Sequence, residues 1–253
     1  PNATHSGSLF PFALRRPVTS NVIPMTSPPN RSVQLKAKAA MSVIAATIST
    51  SSTERTIASA AKAILADFGL IHTWYYECHA FVLLGSRSCL SISGRDYIPA
   101  EEPVGNENLV TVDLSPCEGP LWGDYARSFC VEGGEVVESP VSPAFVEGLK
   151  VENSIHRLMA EFVTPDTSFH QLYEFANDAI STAGFENLDF MGNVGHSIET
   201  NRDSRRYAEK GNHQRLGECS CFTFEPHIRR LGGRWGFKHE DIYYFDGSHC
   251  IAL

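Results

Sequence analysis

The chain has 253 residues, 42% of them hydrophobic, and a formal net charge of -8. That length and apolar content allow one large core or two fused halves, while the acidic balance argues against nucleic acid or an anionic membrane surface as main partner. No apolar run approaches the ~20 residues of a membrane helix.

The charge is uneven, because residues 1–53 hold five Lys/Arg and no Asp or Glu. Residues 1–31 are rich in Pro, Ser, Thr and Asn, carry Arg15, Arg16 and Arg31, and read as a disordered tail. A plain flexible tail is the first reading. An organelle leader is the second, since an acid-free Arg/Ser composition suits one. The third is upstream sequence ahead of a start at Met41. The folded domain is expected over residues 32–253, in the cytoplasm.

From about residue 33 the chain becomes regular. Ala40, Val43 and Thr47 give a weak helical stripe. Residues 54–68 place Ile57, Ala61, Ile64 and Leu65 on one helical face, with Gly69 as a stop and Ser51 and Glu54 spaced as a capping box. Residues 72–84 are aromatic and β-branched enough for a strand. Residues 108–114 and 123–131 follow as an antiparallel pair. Ile155, Leu158 and Phe162 mark a third helix. A fourth, over 169–183, carries Leu172, Ala176, Ala179 and Ile180, with Thr167 or Ser168 as cap and Gly184 as stop. An offset of 115 residues superposes the second helix pair on the first, so the chain reads as a duplicated α+β unit. Strands at 221–224 and 241–245, with turns at Gly232-Gly233 and Asp246-Gly247, complete the second half.

Five potential metal ligands lie in strand or strand-edge runs: Asp113, Asp124, His196, Glu225 and Glu240. Carboxylates and one imidazole suit a pair of hard or borderline divalent ions, which can activate a water between them. Asp113 and Asp124 sit on neighbouring strands and can face one point. The other three belong to the second half, which places the site at the seam. Each residue also has a plainer reading: Asp113 solvating a turn, Asp124 paired with Arg127, His196 as a structural histidine, and Glu225 and Glu240 as surface acids. Arg202, Arg205 and Arg206 are either a carboxylate receptor or a solvated charge cluster. Seven cysteines, odd in number and fitting no zinc cage, are expected reduced and packed as small apolar residues.

Val112-Asp113-Leu114 and Gly123-Asp124-Tyr125-Ala126-Arg127-Ser128-Phe129 resemble the paired aspartate strands of the pita-bread metallopeptidases. That superfamily includes methionine aminopeptidase, Xaa-Pro aminopeptidase, prolidase and creatinase. Gly195-His196-Ser197-Ile198 is similar to its Gly-His-Gly/Ser-Ile motif, and Phe222-Thr223-Phe224-Glu225-Pro226-His227-Ile228 to its Thr-x-Glu-Pro-x-Ile motif. Gly236-Phe237-Lys238-His239-Glu240-Asp241 is similar to its final Arg/Lys-x-Glu-Asp element. The resemblance implies an α+β pita-bread fold, with two pseudo-symmetric helix-helix-strand halves around a metal site.

It further implies two divalent ions (Mn, Co, Fe or Zn). Asp113 would bind one, Asp124 and Glu240 would bridge, and His196 and Glu225 would complete the other shell. Glu225 would also act as general base and acid. The implied activity is that of an Xaa-Pro aminopeptidase or dipeptidase on a small peptide or other small molecule, and a homodimer is compatible. Two family histidines that steady the tetrahedral intermediate are displaced here. No histidine lies between His79 and Asp113, where Arg95 and Tyr97 are the candidates to fill the pocket, and the next histidine after His196 is His213. His213 is the candidate for the vacant catalytic role if its loop folds back, and a solvent-exposed loop histidine otherwise. Amidine hydrolysis, lyase chemistry and a non-catalytic binding module are the alternatives.

Overall fold

A computed structural model describes residues 27–253 of the chain. The expected tail lies outside the described residues through residue 26; near its end Asn30 is buried and Arg31 opens the first helix.

Helix α1 (Arg31–Thr47) buries Val33, Gln34, Ala37, Ala40, Met41 and Ile44 and packs against α2 (Glu54–Asp67). Val43, expected on the inner stripe, faces out. Thr53 caps α2: its hydroxyl accepts from the Thr56 N–H, and the Thr56 hydroxyl accepts from the Thr53 N–H. This replaces the expected Ser51–Glu54 box. Glu54 is instead fully buried, accepting from the N–H groups of Leu84 (3.0 Å) and Ala100 (2.8 Å) and from Arg87 (2.8 Å). A buried carboxylate requires such donors, and here they lock helix to strand.

The expected strand over 72–84 is two strands, β1 (His72–Thr73) and β2 (Ala80–Leu84). Tyr76 and Glu77 break it, with φ of 45° and 58°. β3 (Glu107–Leu114), β4 (Pro116–Glu118), β5 (Leu121–Trp122), β6 (Tyr125–Glu132) and β7 (Glu135–Val137) follow. An antiparallel sheet of order β2-β3-β6-β7 carries Val82, Val110, Val112 and Leu114 into one core with Ile44, Ile57 and Leu65 of the helices. Strand alternation puts these side chains on the helix side.

The second half repeats the plan. α3 (Pro143–Phe162) and α4 (Phe169–Thr182) pack over two three-stranded sheets. These are built from β8 (Phe185–Asn187), β9 (Phe222–Phe224), β10 (His227–Arg230), β11 (Gly236–Lys238), β12 (Asp241–Asp246) and β13 (His249–Ala252). Ser168, one of the two expected caps, starts α4 in a capping box with Gln171. The buried face of α3 runs through Phe145, Glu152, Ile155 and Met159, leaving Leu158 and Phe162 partly exposed; Phe162 stacks on Phe175 instead. All seven cysteines are unpaired. Among the described residues no helix is long and apolar enough to cross a membrane.

The halves meet where Ala126 of β6 pairs with Glu240, through hydrogen bonds of 3.0 and 3.4 Å in the two directions. With the hydrogen bonds of Ser128 to Lys238, this bridge sets β6 of the first half beside the last strands of the second.

Glu152 is a cost carried by this core. One of its carboxylate oxygens has no partner, and burial, only partly opposed by Arg127 and Ser128, pushes its pKa from 4.5 up to about 8. The unfolded carboxyl ionises first as pH rises. The contribution to stability is therefore whole below the unfolded value and is lost as pH climbs through about 8. Glu152→Gln is expected to stabilise the fold by on the order of 2 kcal/mol at pH 8 and by little at pH 4. Urea midpoints at the two pH values measure this, and a difference that does not change with pH would contradict it.

Candidate metal centre

The first two acids are placed by strand pairing. Asp113 of β3 lies opposite Ala126 of β6. Asp124 precedes Ala126 by two residues, so the pleat turns it to the same face. Its backbone is clamped by the buried Gln34 of α1: the Asp124 N–H donates to Oε1 (2.9 Å) and the Asp124 carbonyl accepts from Nε2 (2.7 Å). Asn30 donates to the carbonyl of Trp122 (2.9 Å), just upstream.

The second half supplies the rest through Thr223. Its hydroxyl accepts from the His196 N–H (3.0 Å) and donates to Glu225 Oε1 (3.2 Å), while its own N–H donates to the His196 carbonyl (2.7 Å). The two segments press so closely that a Cβ on Gly195 would stand 2.2 Å from the Thr223 carbonyl oxygen. Gly195 also has φ 150°, so only glycine fits before the histidine. His196 Nδ1 donates to the Ser197 carbonyl (2.9 Å). That bond fixes the tautomer and leaves Nε2 as a free lone pair, 3.5 Å from Asp124 Oδ2 and 3.7 Å from Glu225 Oε1. Burial holds the imidazole neutral, with its pKa lowered to about 4.

Ligating atoms of Asp124, His196 and Glu240 all lie within 4.8 Å of one another. Asp124 Oδ2 and Glu240 Oε1 are buried without a hydrogen-bond partner. Burial, then repulsion from neighbouring acids, pushes both carboxyls well above their ordinary range, and burial takes Asp113 up to about 6. Arg127 does not relieve Asp124; it binds Asp241 (2.7 Å), which also pairs with Lys38 (2.9 Å). Orphaned buried carboxylate oxygens around a neutral imidazole are costly unless a cation is supplied. The donor set fits a divalent metal ion.

Asp113, Asp124, Glu225 and Glu240 line one cavity of about 150 Å³, with Trp74, Tyr75 and Phe81 on its walls. His196 approaches the same carboxylates from behind, its ring edge-on to Trp74. The four acids and the imidazole singled out from the sequence are thus gathered at one place. Two further charged residues line the cavity: Asp189, which carried no recognisable signal, and Lys238, the basic residue of the final Arg/Lys-x-Glu-Asp run. Asp189 sits in a turn, accepting from the Phe190 N–H (2.6 Å) and the Ser91 hydroxyl (3.2 Å). Lys238 enters from the end of β11, with Nζ 2.6 Å from Glu225 Oε2. Burial raises the Glu225 carboxyl, but Lys238 first and His196 second outweigh it and bring it down to about 2.

The three arginines separate in space. Arg205 lines the cavity, its guanidinium 5.0 Å from the Trp74 ring, 5.1 Å from Tyr207 and 5.9 Å from Tyr75. Arg202 stacks on Tyr76, and Arg206 pairs with Glu199. His213 is not brought to the centre. It is exposed and lies edge-on to His170 (5.1 Å), because hydrogen bonds from His170 to Asn212 and from Phe169 to Gln214 tie its loop to the start of α4. Tyr97 and Arg95 do not line the cavity either: the Tyr97 hydroxyl donates to Val82 (2.8 Å), and Arg95 stacks on Tyr76 (4.7 Å).

The profile of metallopeptidase family M24 matches residues 30–246. Among solved structures, the chain is similar to an X-Pro aminopeptidase from Thermotoga maritima MSB8, at 18% identity and a TM-score of 0.71 over 88% of this chain and 58% of that one. It is similar to the prolidase of Pyrococcus furiosus, at 17% identity and a TM-score of 0.71 over 87% of this chain and 61% of that one. It is also similar to an Xaa-Pro dipeptidase from Bacillus anthracis, at 17% identity and a TM-score of 0.69 over 87% and 57%. At such identities the likeness is one of fold, the α+β pita-bread arrangement, and the chain spans less than two thirds of the length of each of these proteins. No curated protein matches the chain. The profile match over most of the sequence, with its acids and histidine gathered at the seam of two similar halves, means that the chain belongs to metallopeptidase family M24.

Proposed function

We propose that the chain is a metal-dependent hydrolase of small amides that end in a free carboxylate, with Xaa-Pro dipeptides as the substrate class. One observation carries this reading: four acids placed to hold a metal ion and one arginine line a single cavity. A divalent ion held by Asp124, His196 and Glu240 would supply Lewis-acid activation of water and of an amide carbonyl, and Mn, Co, Fe and Zn all suit these donors. Glu225 is the residue to take the proton of the attacking water and return it to the leaving amine. Its carboxylate lies beside His196 on one side and Lys238 on the other. Arg205 presents a planar fork of donors suited to the substrate carboxylate, and its ring contacts hold that fork in place. The peptidase names of the similar structures support amide chemistry.

The test is a panel of Xaa-Pro dipeptides, their C-terminal amides, small amidines and sulfonium compounds, each assayed with Mn²⁺ and with a chelator. Turnover of the dipeptides is expected, at least about 10-fold faster than of their amides, given the strength of charge-assisted hydrogen bonds. It should be abolished by the chelator and restored by Mn²⁺. Turnover of an amidine or sulfonium compound alone would replace the peptidase reading. Metal binding with no turnover of any panel member would make the chain a binding module.

A further inference from the structure

Asp189 lines the cavity without being one of the candidate metal ligands. The pairing of β8 with β10 sets it there. Asn187 lies opposite Ile228, and the Leu188 N–H donates to the His227 carbonyl (2.8 Å), so Asp189 leaves the sheet beside Glu225-Pro226. The Asn187 side chain fixes the turn that follows. Its Oδ1 accepts from the Asp189 N–H (2.9 Å), and its Nδ2 donates to the carbonyls of Gly192 (3.0 Å) and Asn193 (3.1 Å).

Only half of the Asp189 carboxylate is engaged. Oδ1 accepts from the Phe190 N–H (2.6 Å) and, across the junction of the halves, from the Ser91 hydroxyl (3.2 Å). Among the described residues Oδ2 accepts no hydrogen bond, yet it is not sealed from solvent as Asp124 Oδ2 and Glu240 Oε1 are. Lys238 leaves it open, with Nζ turned to Glu225 Oε2 (2.6 Å). Leu90 and Ile92, on either side of Ser91, also line the cavity, so the acid stands at an otherwise apolar stretch of wall. A fixed carboxylate with one open oxygen in such a place is a receptor for a cationic donor.

The charges of the cavity are set out to suit a zwitterion. Arg205 stands against Trp74 and Tyr207, and its charge acts on Asp124 and Glu225. Asp189 stands against Ser91, and its charge acts on Asp113 and Lys238. A small amide with its carboxylate on Arg205 and its carbonyl over the ligand acids has its other end free to meet Asp189.

We propose that Asp189 is the receptor for an ammonium group of the substrate, a specificity-determining residue that acts with Arg205 to select zwitterionic amides. The ammonium is the α-amine or a basic side chain of the residue ahead of proline, and the same chemistry serves both. The proposal deepens the Xaa-Pro reading above and rests on it.

The test uses three ligands that share the proline carboxylate. Propanoyl-proline has no ammonium, Ala-Pro has the α-ammonium, and ε-aminocaproyl-proline has only the ammonium of a lysine side chain. KM is measured on Mn²⁺-loaded full-length protein. Dissociation constants are measured by calorimetry on the same protein with the metal chelated, so that nothing is turned over. The wild type is expected to bind an ammonium-bearing ligand about 10- to 100-fold more tightly than propanoyl-proline. Asp189→Asn, which keeps Oδ1 for Phe190 and Ser91, should remove that preference and change propanoyl-proline little. Loss of the preference for Ala-Pro assigns the α-ammonium, and loss for ε-aminocaproyl-proline assigns a basic side chain. Equal weakening of all three ligands would overturn the proposal and make Asp189 a counter-ion of Lys238. A preference that survives in the variant would also overturn it, placing the ammonium on the metal-ligating acids, as would a wild type with no preference at all. Failure of the hydrolase reading shows separately, as a wild type that binds with the expected preference but turns nothing over with Mn²⁺. Asp189→Ser, which can still cap the Phe190 N–H, replaces the asparagine variant if that one does not fold.

Discussion

Asp124→Asn is expected to lower kcat/KM by on the order of 10³-fold or more and to strip the tightly held metal, because this carboxylate belongs to the cluster that would hold the ion and orders the charge around it. The same substitution should have the opposite sign on the stability of metal-free protein. Without an ion, Asp124 Oδ2 is buried with no partner and is repelled by Asp113 and Glu225. An asparagine removes that charge and brings an amide N–H that neighbouring carboxylates can accept. The metal-free variant should therefore melt higher than metal-free wild type, by a few degrees for ~1 kcal/mol in a chain of this size. Mn²⁺ should raise the melting temperature of the wild type only. Metal analysis after dialysis and paired thermal melts test both halves. A variant that kept wild-type metal content and turnover would place the centre elsewhere.

Arg205→Ala is expected to raise KM for Xaa-Pro dipeptides by about 10- to 100-fold, the loss of one charge-assisted pair. The effect on the corresponding C-terminal amides should be small, since they lack the carboxylate. Arg205→Lys should recover only part of the affinity, because a lysine keeps the charge but not the fork that stacks between Trp74 and Tyr207. Arg202→Ala is the control: its guanidinium lies over Tyr76 and does not line the cavity. Equal losses on acid and amide substrates would assign Arg205 a structural role and withdraw the carboxylate receptor.

The candidate ligands could be picked out together because a clustered site needs fixed neighbours. Gly195 must precede His196 for the chain to pass Thr223, and Asp124 must fall just ahead of the strand that pairs with that of Asp113 to share its face. Both requirements leave short local patterns. Arg205 could not be told from Arg202 or Arg206 in the sequence, because rings at positions 74 to 76 divide them and those lie far away along the chain. The break between β1 and β2 was hidden for a related reason. Tyr76 and Glu77 adopt a left-handed backbone that carries no composition signature in non-glycine residues. The cap of α2 was misread by two residues, since Ser51, Ser52 and Thr53 are all competent caps and only the burial of Glu54 among Leu84, Arg87 and Ala100 decides between them. His213 shows the converse error. Sequence proximity to His196 suggested a shared pocket, but backbone bonds to the start of α4 draw its loop away.

The grip of Gln34 on the Asp124 backbone spans ninety positions of sequence. Trimming this protein from its amino end would thus disarm it well before reaching any group that touches metal or substrate. A fragment cut within α1 would retain every acid and the imidazole, yet leave the main-chain N–H and C=O of residue 124 looking for water inside the protein. Anyone seeking a shortest active form should draw its border ahead of Asn30.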